Sequence, residues 1–339
     1  MTDGSIDMSG IEESNKNMRK NVVVYSTAFI GDVFISLRLV AALINSGEYN
    51  VHIVTTPLFS QICPSIDGLT SYHIYNKRDK GKAEEEQDLL FQYLNKLKID
   101  IYITLHPSLR ASLIARKSGA KRKLCYKNSS GRFLYRNESI EYLKGVHEHQ
   151  RLRLFYNKVS NSIWDDRIEF RFPQEIIDNY NKHKGKYLVF PGSAWETKKL
   201  PVRTYAEVIK SIGFEKVLIL GGPGEEDLCS ELTSMTKSLN LAGKVSLLES
   251  VYLVSIAKKV ICNDSAPTHI ANLVKTPVTT IFGPTSPIFG FYPDGEKDNI
   301  FYKAPSCSPC DIHGQNKCPL GHHKCMELID AGDILKTLQ

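Results

Sequence analysis

The sequence predicts an α/β protein made of two doubly wound domains, and three observations support this prediction. The chain has 339 residues, more than a single core usually organises. Strand-like runs alternate with helix-like runs in both halves. Loops rich in glycine, hydroxyl and charged residues recur where predicted strands end, which is where open α/β sheets bind their ligands.

The first half alternates strands and helices from about residue 18. Short β-branched runs predict strands, and apolar residues three and four positions apart predict helices. The predicted strands are 21–26, 49–56, 70–76 and 99–106, and the predicted helices are 32–47, 81–98, 108–119 and 147–160. Residues 1–17 are polar and acidic, which predicts a disordered extension before an N-terminal domain over 18–175.

The second half repeats the pattern, which predicts a second domain over 176–305 and a cysteine-rich tail with a helix over 306–339. Residues 215–235 predict a strand, a glycine loop and a helix. The other predicted strands are 186–193, 244–248, 260–264 and 277–283, and the other predicted helices are 201–213, 250–259 and 266–275. We expect the two domains to face each other across a ligand-binding cleft.

Composition and charge narrow the class of protein. Apolar residues make up 42% and charged residues 24%, which is ordinary for a globular chain, and no apolar run is long enough to span a bilayer. The polar start lacks the features of a secretory signal, so we expect a cytoplasmic location. Nine basic residues and no acidic one lie between Arg110 and Arg136, which predicts either a solvated face or a surface for an anionic lipid, a membrane or nucleic acid.

The stretch "NDSAPTHIANLVKTPVTTIFGPTSP", residues 263–287, predicts a phosphate site. It places a helix N-terminus directly after a strand end, and free N–H groups at such a terminus attract anions. Either Asp264 or Ser265 can cap this helix, while Thr268 and His269 lie in its first turn. The alternative is capping and turn chemistry without a ligand.

Two further strand-end loops carry candidate donor residues. In "FPGSAWETKKLP", Ser193 and Thr197 offer hydroxyls, and Lys198 or the lysine after it offers a cation; such a pair is also common on solvated surfaces. In "LGGPGEEDL", Glu225 or Glu226 can accept hydrogen bonds from a ribose, or can simply favour a helix N-terminus.

The loop after the first strand, "AFIGDVFIS", contains a candidate base. Gly31 permits a tight turn and is a candidate donor-binding residue, and Asp32 then stands at the start of the first helix. Asp32 is either an N-cap or a carboxylate that takes a proton from a hydroxyl group.

These loops, taken with the tail, resemble glycosyltransferase family nine, the heptosyltransferases of bacterial lipopolysaccharide inner-core synthesis. The segments that carry the resemblance are "IGDVFISLRLVAAL", "FPGSAWETKKLP", the 263–287 stretch and "CSPCDIHGQNKCPLGHHKCM", in that order. "VHEHQRLRLF" is similar to the start of the family's inter-domain helix. The resemblance covers nearly the whole chain from residue 18, and the tail favours the type that adds the second heptose.

The resemblance implies a GT-B fold and metal-independent, inverting transfer of heptose from ADP-heptose to a Kdo-lipid A type acceptor at the inner-membrane surface. It implies that Asp32 is the general base. It implies donor contacts from Lys198, from Glu225 or Glu226, and from the loop Asp264, Ser265, Ala266, Thr268 and His269. The family usually has glycine where this chain has Ala266, so either the loop is helical there or the donor sits differently. For the anionic acceptor we expect contacts from Arg110, Lys121, Arg122 and Lys123.

The tail spaces four cysteines in a pattern that permits a tetrahedral zinc or iron site: Cys307, Cys310, Cys318 and Cys325. Similar tails occur in part of the family, some with bound iron. We expect such a metal to be structural, and the alternative is four reduced thiols that pack the tail. The tail lacks the arginines and aromatics of a zinc-ribbon module, so we expect no nucleic-acid partner.

Three other functions remain open at this point. The first is a family member that glycosylates another acceptor, such as a protein or a different glycan. The second is a GT-B sugar-nucleotide epimerase, which needs an added carboxylate pair around the donor sugar. The third is a sugar-nucleotide-binding protein without catalysis, against which the intact Asp32 argues.

Overall fold

The computed structural model describes residues 19–79 and 81–338. They divide into two compact units. The first unit comprises the described residues up to Tyr142 together with Arg151–Glu169, and the second comprises Leu143–Gln150 and Phe170 onward. The predicted disordered extension over 1–17 lies outside the described residues.

The first unit contains one six-stranded sheet in which every strand pairing is parallel. The strand order is β3-β2-β1-β4-β5-β6, the arrangement of a dinucleotide-binding doubly wound fold. The strands are β1 Lys20–Tyr25, β2 Tyr49–Thr55, β3 Ser71–Ile74, β4 Ile101–Thr104, β5 Arg122–Tyr126 and β6 Glu138–Ile140. The helices are α1 Ile30–Asn45, α2 Ala83–Lys96 and α3 Leu109–Lys117, and α4 Glu148–Val159 begins in the second unit and belongs to the first from Arg151.

The second unit repeats this topology with the order β12-β11-β10-β7-β8-β9, again with parallel pairing. The strands are β7 Tyr187–Phe190, β8 Val217–Ile219, β9 Leu239–Asn240, β10 Lys259–Asn263, β11 Val278–Phe282 and β12 Asn299–Tyr302. The helices are α5 Gln174–Tyr180, α6 Val202–Ile212, α7 Glu226–Thr236, α8 Leu247–Ser255, α9 Ala266–Leu273, α10 Lys324–Glu327 and α11 Ala331–Lys336. The two sheets confirm the predicted doubly wound α/β class.

The cysteine-rich tail packs into the core of the second unit. Cys325, Met326 and Ile334 are buried in the same apolar cluster as α6 and α7. Gly283 explains how the tail reaches the sheet, because a Cβ at this position would lie 2.2 Å from the sulfur of Met326. The absence of a side chain at Gly283 therefore admits the tail against the end of β11.

The predicted strand at 244–248 is wrong. Ser246 caps helix α8: its hydroxyl accepts from the Glu249 N–H at 3.2 Å, and the Glu249 carboxylate accepts from the Ser246 N–H. This reciprocal capping box starts a helix within the predicted strand, and the strand of this region is β9.

Candidate functional site

In the second unit, β7 and β10 pair side by side and parallel, and the strands that follow β7 extend the sheet to one side while those that follow β10 extend it to the other. We call the position between β7 and β10 the reversal point of the strand order. The loops that leave the carboxyl ends of these two strands diverge to opposite sides, and doubly wound folds bind nucleotides in the crevice this creates. The loop after β7 carries Ser193, Thr197 and Lys198, and the loop after β10 carries Asp264 and Ser265.

Asn263, the last residue of β10, joins these loops. It is fully buried. Its amide nitrogen donates to the carbonyl oxygens of Pro191 at 2.8 Å and Gly192 at 3.1 Å. Its amide oxygen accepts from the Leu200 N–H at 3.2 Å and the Tyr205 hydroxyl at 3.0 Å. All four hydrogen-bonding positions of the amide are used, so Asn263 fixes the path of the loop after β7. Sequence analysis missed this role; a polar residue closing an apolar strand was its only signal.

Lys198 and Asp264 form a buried ion pair across the loops. Lys198 Nζ lies 2.7 Å from Asp264 Oδ2 and donates to the Asp264 carbonyl oxygen at 3.2 Å. The side chains are only 13% and 10% exposed. The Thr285 hydroxyl donates to the same carboxylate at 2.7 Å. Because Asp264 is negative, its side chain would repel a phosphate, and its physical role is to orient and neutralise Lys198.

Helix α9 begins at Ala266, directly after this pair. Ser265 is its extended N-cap residue, with no side-chain cap hydrogen bond. Ala266 is therefore the first helical residue, so the expected conflict between alanine and a left-handed loop does not arise. In this first turn Pro267 has no N–H, and the Thr268 N–H donates to the Ser265 carbonyl oxygen at 3.1 Å. The backbone groups that can face an anion are therefore those at the very start of the helix, at Ser265 and Ala266.

The two candidate side chains in the first turn of α9, the Thr268 hydroxyl and the His269 imidazole, differ in burial. Thr268 is fully buried, and its hydroxyl lies 2.9 Å from that of Thr280. Its side chain packs α9 on the sheet, and its predicted donor contact stays a prediction. His269 is partly exposed beside it.

Glu225 and Glu226 have different surroundings. Glu225 Oε2 accepts from the Gly222 N–H at 2.8 Å. A Cβ on Gly192 would lie 2.0 Å from Glu225 Oε1, so this carboxylate rests on the backbone just after β7. Burial raises the pKa of Glu225, against the opposing effect of the Gly222 hydrogen bond. Glu226 is exposed and accepts from the Gly224 N–H at 2.7 Å. Glu225 is therefore the carboxylate beside the crevice.

Two predicted donor residues have their hydroxyls engaged by the protein. The Ser193 hydroxyl accepts from the Trp195 N–H at 3.3 Å. The Thr197 hydroxyl donates to the Gln315 carbonyl and accepts from the Gln315 N–H, both at 2.9 Å, and His323 Nε2 lies 2.7 Å from the Thr197 carbonyl oxygen. Thr197 therefore attaches the tail to the loop that carries Lys198, and its predicted donor contact stays a prediction.

Three of the four tail cysteines line a small cavity, and all four influence each other electrostatically. Cys310, Cys318 and Cys325 line the cavity with Thr197 and His323. Burial and, after it, the charges of Cys310, Cys318 and Cys307 together raise the pKa of Cys325 to about 11. Backbone N–H groups following Cys318 donate to its sulfur and lower the pKa of its thiol, which favours the thiolate that binds metals.

Among the described residues, three potential ligand atoms lie within 4.8 Å of one another at His147, His149 and Asp294. His147 Nε2 lies 2.6 Å from the Tyr292 carbonyl oxygen, and its Nδ1 accepts from the His149 N–H at 3.1 Å. His149 Nδ1 lies 2.7 Å from Asp294 Oδ2. Both His147 nitrogens already have protein partners, so this group anchors the start of α4 to the loop after β11 by hydrogen bonds.

In the first unit, Asp32 occupies the first turn of α1, beyond the end of β1. Its carboxylate accepts from the Phe29 N–H at 3.3 Å. Gly31 lies inside the helix and outside the left-handed region, so the predicted glycine turn is wrong, and Asp32 is reached through the loop 26–29.

Three cations gather at this edge of the first sheet. Arg110 Nη1 donates to the Lys77 carbonyl oxygen at 3.0 Å. The pKa of Lys77 is lowered first by burial and then by Arg78 and Arg110, while Asp32 opposes this shift. The Arg78 guanidinium lies 5.8 Å from the centre of the Phe29 ring. Sequence analysis found Arg110 but missed Lys77 and Arg78; their signal was the run "NKRDK" after a predicted strand.

The other expected acceptor residues lie near the amino end of a strand, opposite the carboxyl ends after which Asp32 and Arg110 follow. Lys121, Arg122 and Lys123 stand at the start of β5, whose five residues span about 13 Å. Lys121 pairs with Asp100 at 2.8 Å, and Arg122 holds Glu138 through two bonds of 2.7 and 2.8 Å. Asp32 follows the carboxyl end of the parallel strand β1, so Asp32 and the start of β5 lie at opposite ends of the strands. The acceptor contacts of these three residues stay a prediction.

Comparison with known proteins places this geometry in context. Residues 89–320, more than half of the chain, match the model of glycosyltransferase family 9 (heptosyltransferase). Lipooligosaccharide heptosyltransferase 2 of Campylobacter jejuni is 25% identical over 209 residues, which cover 58% of this chain and 65% of the relative. The match thus spans less than two thirds of that relative's length.

Solved structures share the fold. The family 9 glycosyl transferase of Veillonella parvula superposes with a TM-score of 0.78 at 18% identity, covering 94% of this chain and 96% of that chain. ADP-heptose LPS heptosyltransferase II of E. coli gives 0.74 at 17%, covering 94% and 97%. The dodecameric iron-containing heptosyltransferase TibC of E. coli, solved with ADP-D-β-D-heptose, gives 0.55 at 12%, covering 95% and 75%. These neighbours confirm the predicted GT-B fold.

Proposed function

Because this chain belongs to glycosyltransferase family 9, we propose that it transfers heptose from ADP-L-glycero-D-manno-heptose to the Kdo and heptose inner core of lipopolysaccharide, with inversion at the anomeric carbon. The observation that carries the proposal is the buried Lys198–Asp264 pair at the reversal point of the second sheet. The similarity to a second-heptose enzyme favours an acceptor that already carries one heptose.

The second unit would hold ADP-heptose. Glu225, beside the crevice, would accept hydrogen bonds from the ribose hydroxyls. Lys198 and the backbone N–H groups of Ser265 and Ala266 at the start of α9 would bind the diphosphate, whose charge grows as the sugar leaves. These donors are already fixed by Asp264 and Asn263, so little reorganisation is needed as that charge develops.

The first unit would hold the acceptor and supply the base. Asp32 would take the proton from the acceptor hydroxyl as that oxygen attacks the anomeric carbon on the face opposite ADP. Lys77, Arg78 and Arg110 would hold anionic groups of a Kdo-lipid A type acceptor near that carboxylate. This division of labour uses protein groups alone and requires no metal in the transfer step.

The tail would hold a structural zinc or iron ion. Three of these thiols line one cavity, and backbone N–H groups favour the thiolate of Cys318. No three of the four sulfurs lie within 4.8 Å of one another among the described residues, so binding of an ion would require the tail to close around it. A metal bound by Cys307, Cys310, Cys318 and Cys325 would cross-link the tail segment whose Gln315 is hydrogen-bonded to Thr197. Metal analysis of the purified native chain and of Cys318→Ser tests this: the proposal requires near one ion per native chain and its loss in the variant.

Among the described residues, no helix combines the length and apolar character needed to cross a membrane. We propose that the protein works at the cytoplasmic face of the inner membrane as a peripheral protein, where its lipid-linked acceptor is made.

Transfer assays with defined substrates test the proposed function. ADP-heptose is offered with Kdo2-lipid A and, separately, with heptosyl-Kdo2-lipid A, and the anomeric configuration of each product is determined by NMR. The proposal predicts an inverted product, with the heptosylated acceptor preferred. Binding of ADP-heptose without transfer to either acceptor would contradict it and would direct the search to protein or other glycan acceptors.

A further inference from the structure

Three large apolar side chains of the first unit are exposed close together. Phe133 is 84% exposed, Leu109 51% and Leu113 40%. A single exposed apolar residue is common, but a contiguous group of large ones marks an interaction surface.

Chain geometry brings these residues together. Leu109 and Leu113 are one helical turn apart on α3. Phe133 lies in the short 3-10 turn Arg132–Leu134 that packs on α3. Gly131, at φ +76°, allows this contact, because a Cβ there would lie 2.5 Å from Leu109 Cδ1. We call Leu109, Leu113 and Phe133 the apolar tip.

Two hydrogen bonds hold the turn against α3. The Ser112 hydroxyl donates to the Ser130 carbonyl oxygen at 2.6 Å. The Ser130 N–H donates to the Pro107 carbonyl oxygen at 2.8 Å, just before α3. The apolar tip is thus built by the fold, and the exposure of Phe133 is a feature of an anchored loop.

The apolar tip is surrounded by positive charge. Exposed basic residues flank it on α3 and on the turn, and the whole segment 110–136 contains no acidic residue. The flanking residues are Arg110, Arg116, Lys117, Arg132 and Arg136. Apolar side chains ringed by lysine and arginine match the interface of an anionic bilayer, where the rings enter the headgroup region and the cations meet lipid phosphates.

The location of the apolar tip fits that partner. The start of α3 follows the carboxyl end of β4, and the turn follows the carboxyl end of β5. Strands β1, β4 and β5 are parallel, so the apolar tip lies at the same sheet edge as Asp32. A lipid-linked acceptor must reach that edge from a membrane.

We propose that Leu109, Leu113 and Phe133, with their basic neighbours, dock the first unit on an anionic membrane surface. A second copy of the chain is a poorer occupant, because a symmetric contact would bring two basic rims together. This inference rests on the proposed function only for the statement that the acceptor is lipid-linked.

Vesicle binding tests the docking surface. The full chain is sedimented with phosphatidylcholine vesicles with and without phosphatidylglycerol, at low and high salt. We expect binding to the anionic vesicles, weakened by salt, and weakened about tenfold or more by Phe133→Ser. The matched control is Ile163→Ser, since Ile163 is 91% exposed in the same unit but lies beside Asp165 and Asp166.

Three results would overturn the proposal. They are no binding of the native chain to anionic vesicles, equal binding by Phe133→Ser, and a concentration-dependent dimer that Phe133→Ser abolishes. Transfer to a deacylated, water-soluble acceptor without vesicles separates this inference from the proposed function. The rate of transfer to this soluble acceptor should be the same in the native chain and in Phe133→Ser. If the native chain shows no transfer, the proposed function is refuted, and the vesicle-binding result is unaffected.

Discussion

Lys198 Nζ lies 2.7 Å from Asp264 Oδ2, and this ion pair joins the two loops that diverge at the reversal point of the second sheet. Because of this ion pair, the stability of the donor site depends on the charges of Lys198 and Asp264. A phosphate that arrives there meets a lysine already oriented, and the carboxylate that orients it is held in turn by Thr285.

Lys198→Met should lower both the stability of the protein and the rate of transfer. We expect the free energy of unfolding to fall by about 3 kcal/mol, because Asp264 is left as a buried charge without its cation. The transfer rate should fall about 100-fold or more through the lost diphosphate contact. Urea unfolding and initial-rate assays measure the two effects.

The double variant Lys198→Met/Asp264→Asn separates the effect on stability from the effect on transfer. It removes the orphaned charge, so we expect most of the stability to return while the transfer rate stays low. Lys199→Met is the control, since Lys199 pairs with the largely exposed Glu196 and such pairs contribute about 0–1 kcal/mol. A double variant that regains transfer would show that Lys198 does not contact the diphosphate.

Asn263→Asp should destabilise the second unit strongly. The substitution removes the two donations to Pro191 and Gly192 and buries a negative charge beside their carbonyl oxygens. Each buried group left unsatisfied costs about 1–3 kcal/mol, so we expect a large drop in the urea midpoint. Asn128→Asp, at an exposed position of the first unit, should leave the midpoint unchanged.

Nucleotide affinity should depend on pH through Glu225. Burial raises its pKa above the usual value of about 4.3, so on acidification it takes up a proton earlier than an ordinary glutamate and loses an acceptor for the ribose. ADP affinity should therefore fall as the pH drops through this raised pKa. Calorimetric titration of ADP across pH measures the effect.

The contribution of Glu225 to the free energy of unfolding changes with pH in the opposite direction to the ADP affinity. Its pKa is higher in the folded than in the unfolded chain, so its stabilising effect is present at low pH and is lost as the pH rises through the folded pKa. Glu225→Gln should flatten both dependences, and Glu226→Gln should leave both intact. A pH profile of ADP binding that survives Glu225→Gln would assign the ribose contact elsewhere.

The tail should support the donor loop through Thr197. Thr197→Val preserves shape but removes the two hydrogen bonds to Gln315, each with a net value of about 0.5–1.5 kcal/mol. We expect lower stability and a weaker ADP affinity, because the loop that carries Lys198 loses an attachment. Thr233→Val, whose hydroxyl bonds only within its own helix to Cys229, is the control. Unchanged ADP affinity in Thr197→Val would make the tail purely structural.

Much of this architecture can be predicted from sequence, because it depends on local periodicity. Alternating strand and helix patterns with polar strand ends placed Asp32 and Asp264 beyond β1 and β10 without knowledge of the sheet order. The choice between Glu225 and Glu226 could not be made in this way. It depends on which carboxylate packs on Gly192, a contact between residues more than thirty positions apart.

The acceptor edge was harder to predict for the same reason. Lys77 and Arg110 meet because both follow the carboxyl ends of strands in one parallel sheet, which requires the strand order to be known. The position of Arg122 in the sheet could not be predicted, because β5 begins with Arg122 and Lys123 and lacks a recognisable apolar run. Without that strand, the direction of the basic segment could not be inferred.

The most direct test of the account compares Asp32→Asn with the native chain in two measurements on one preparation: the rate of heptose transfer to heptosyl-Kdo2-lipid A, and the dissociation constant for ADP-heptose. If Asp32 is the base, the rate falls about 100- to 10,000-fold while the dissociation constant stays within a few-fold of the native value. A variant that transfers heptose at the native rate would contradict the central claim.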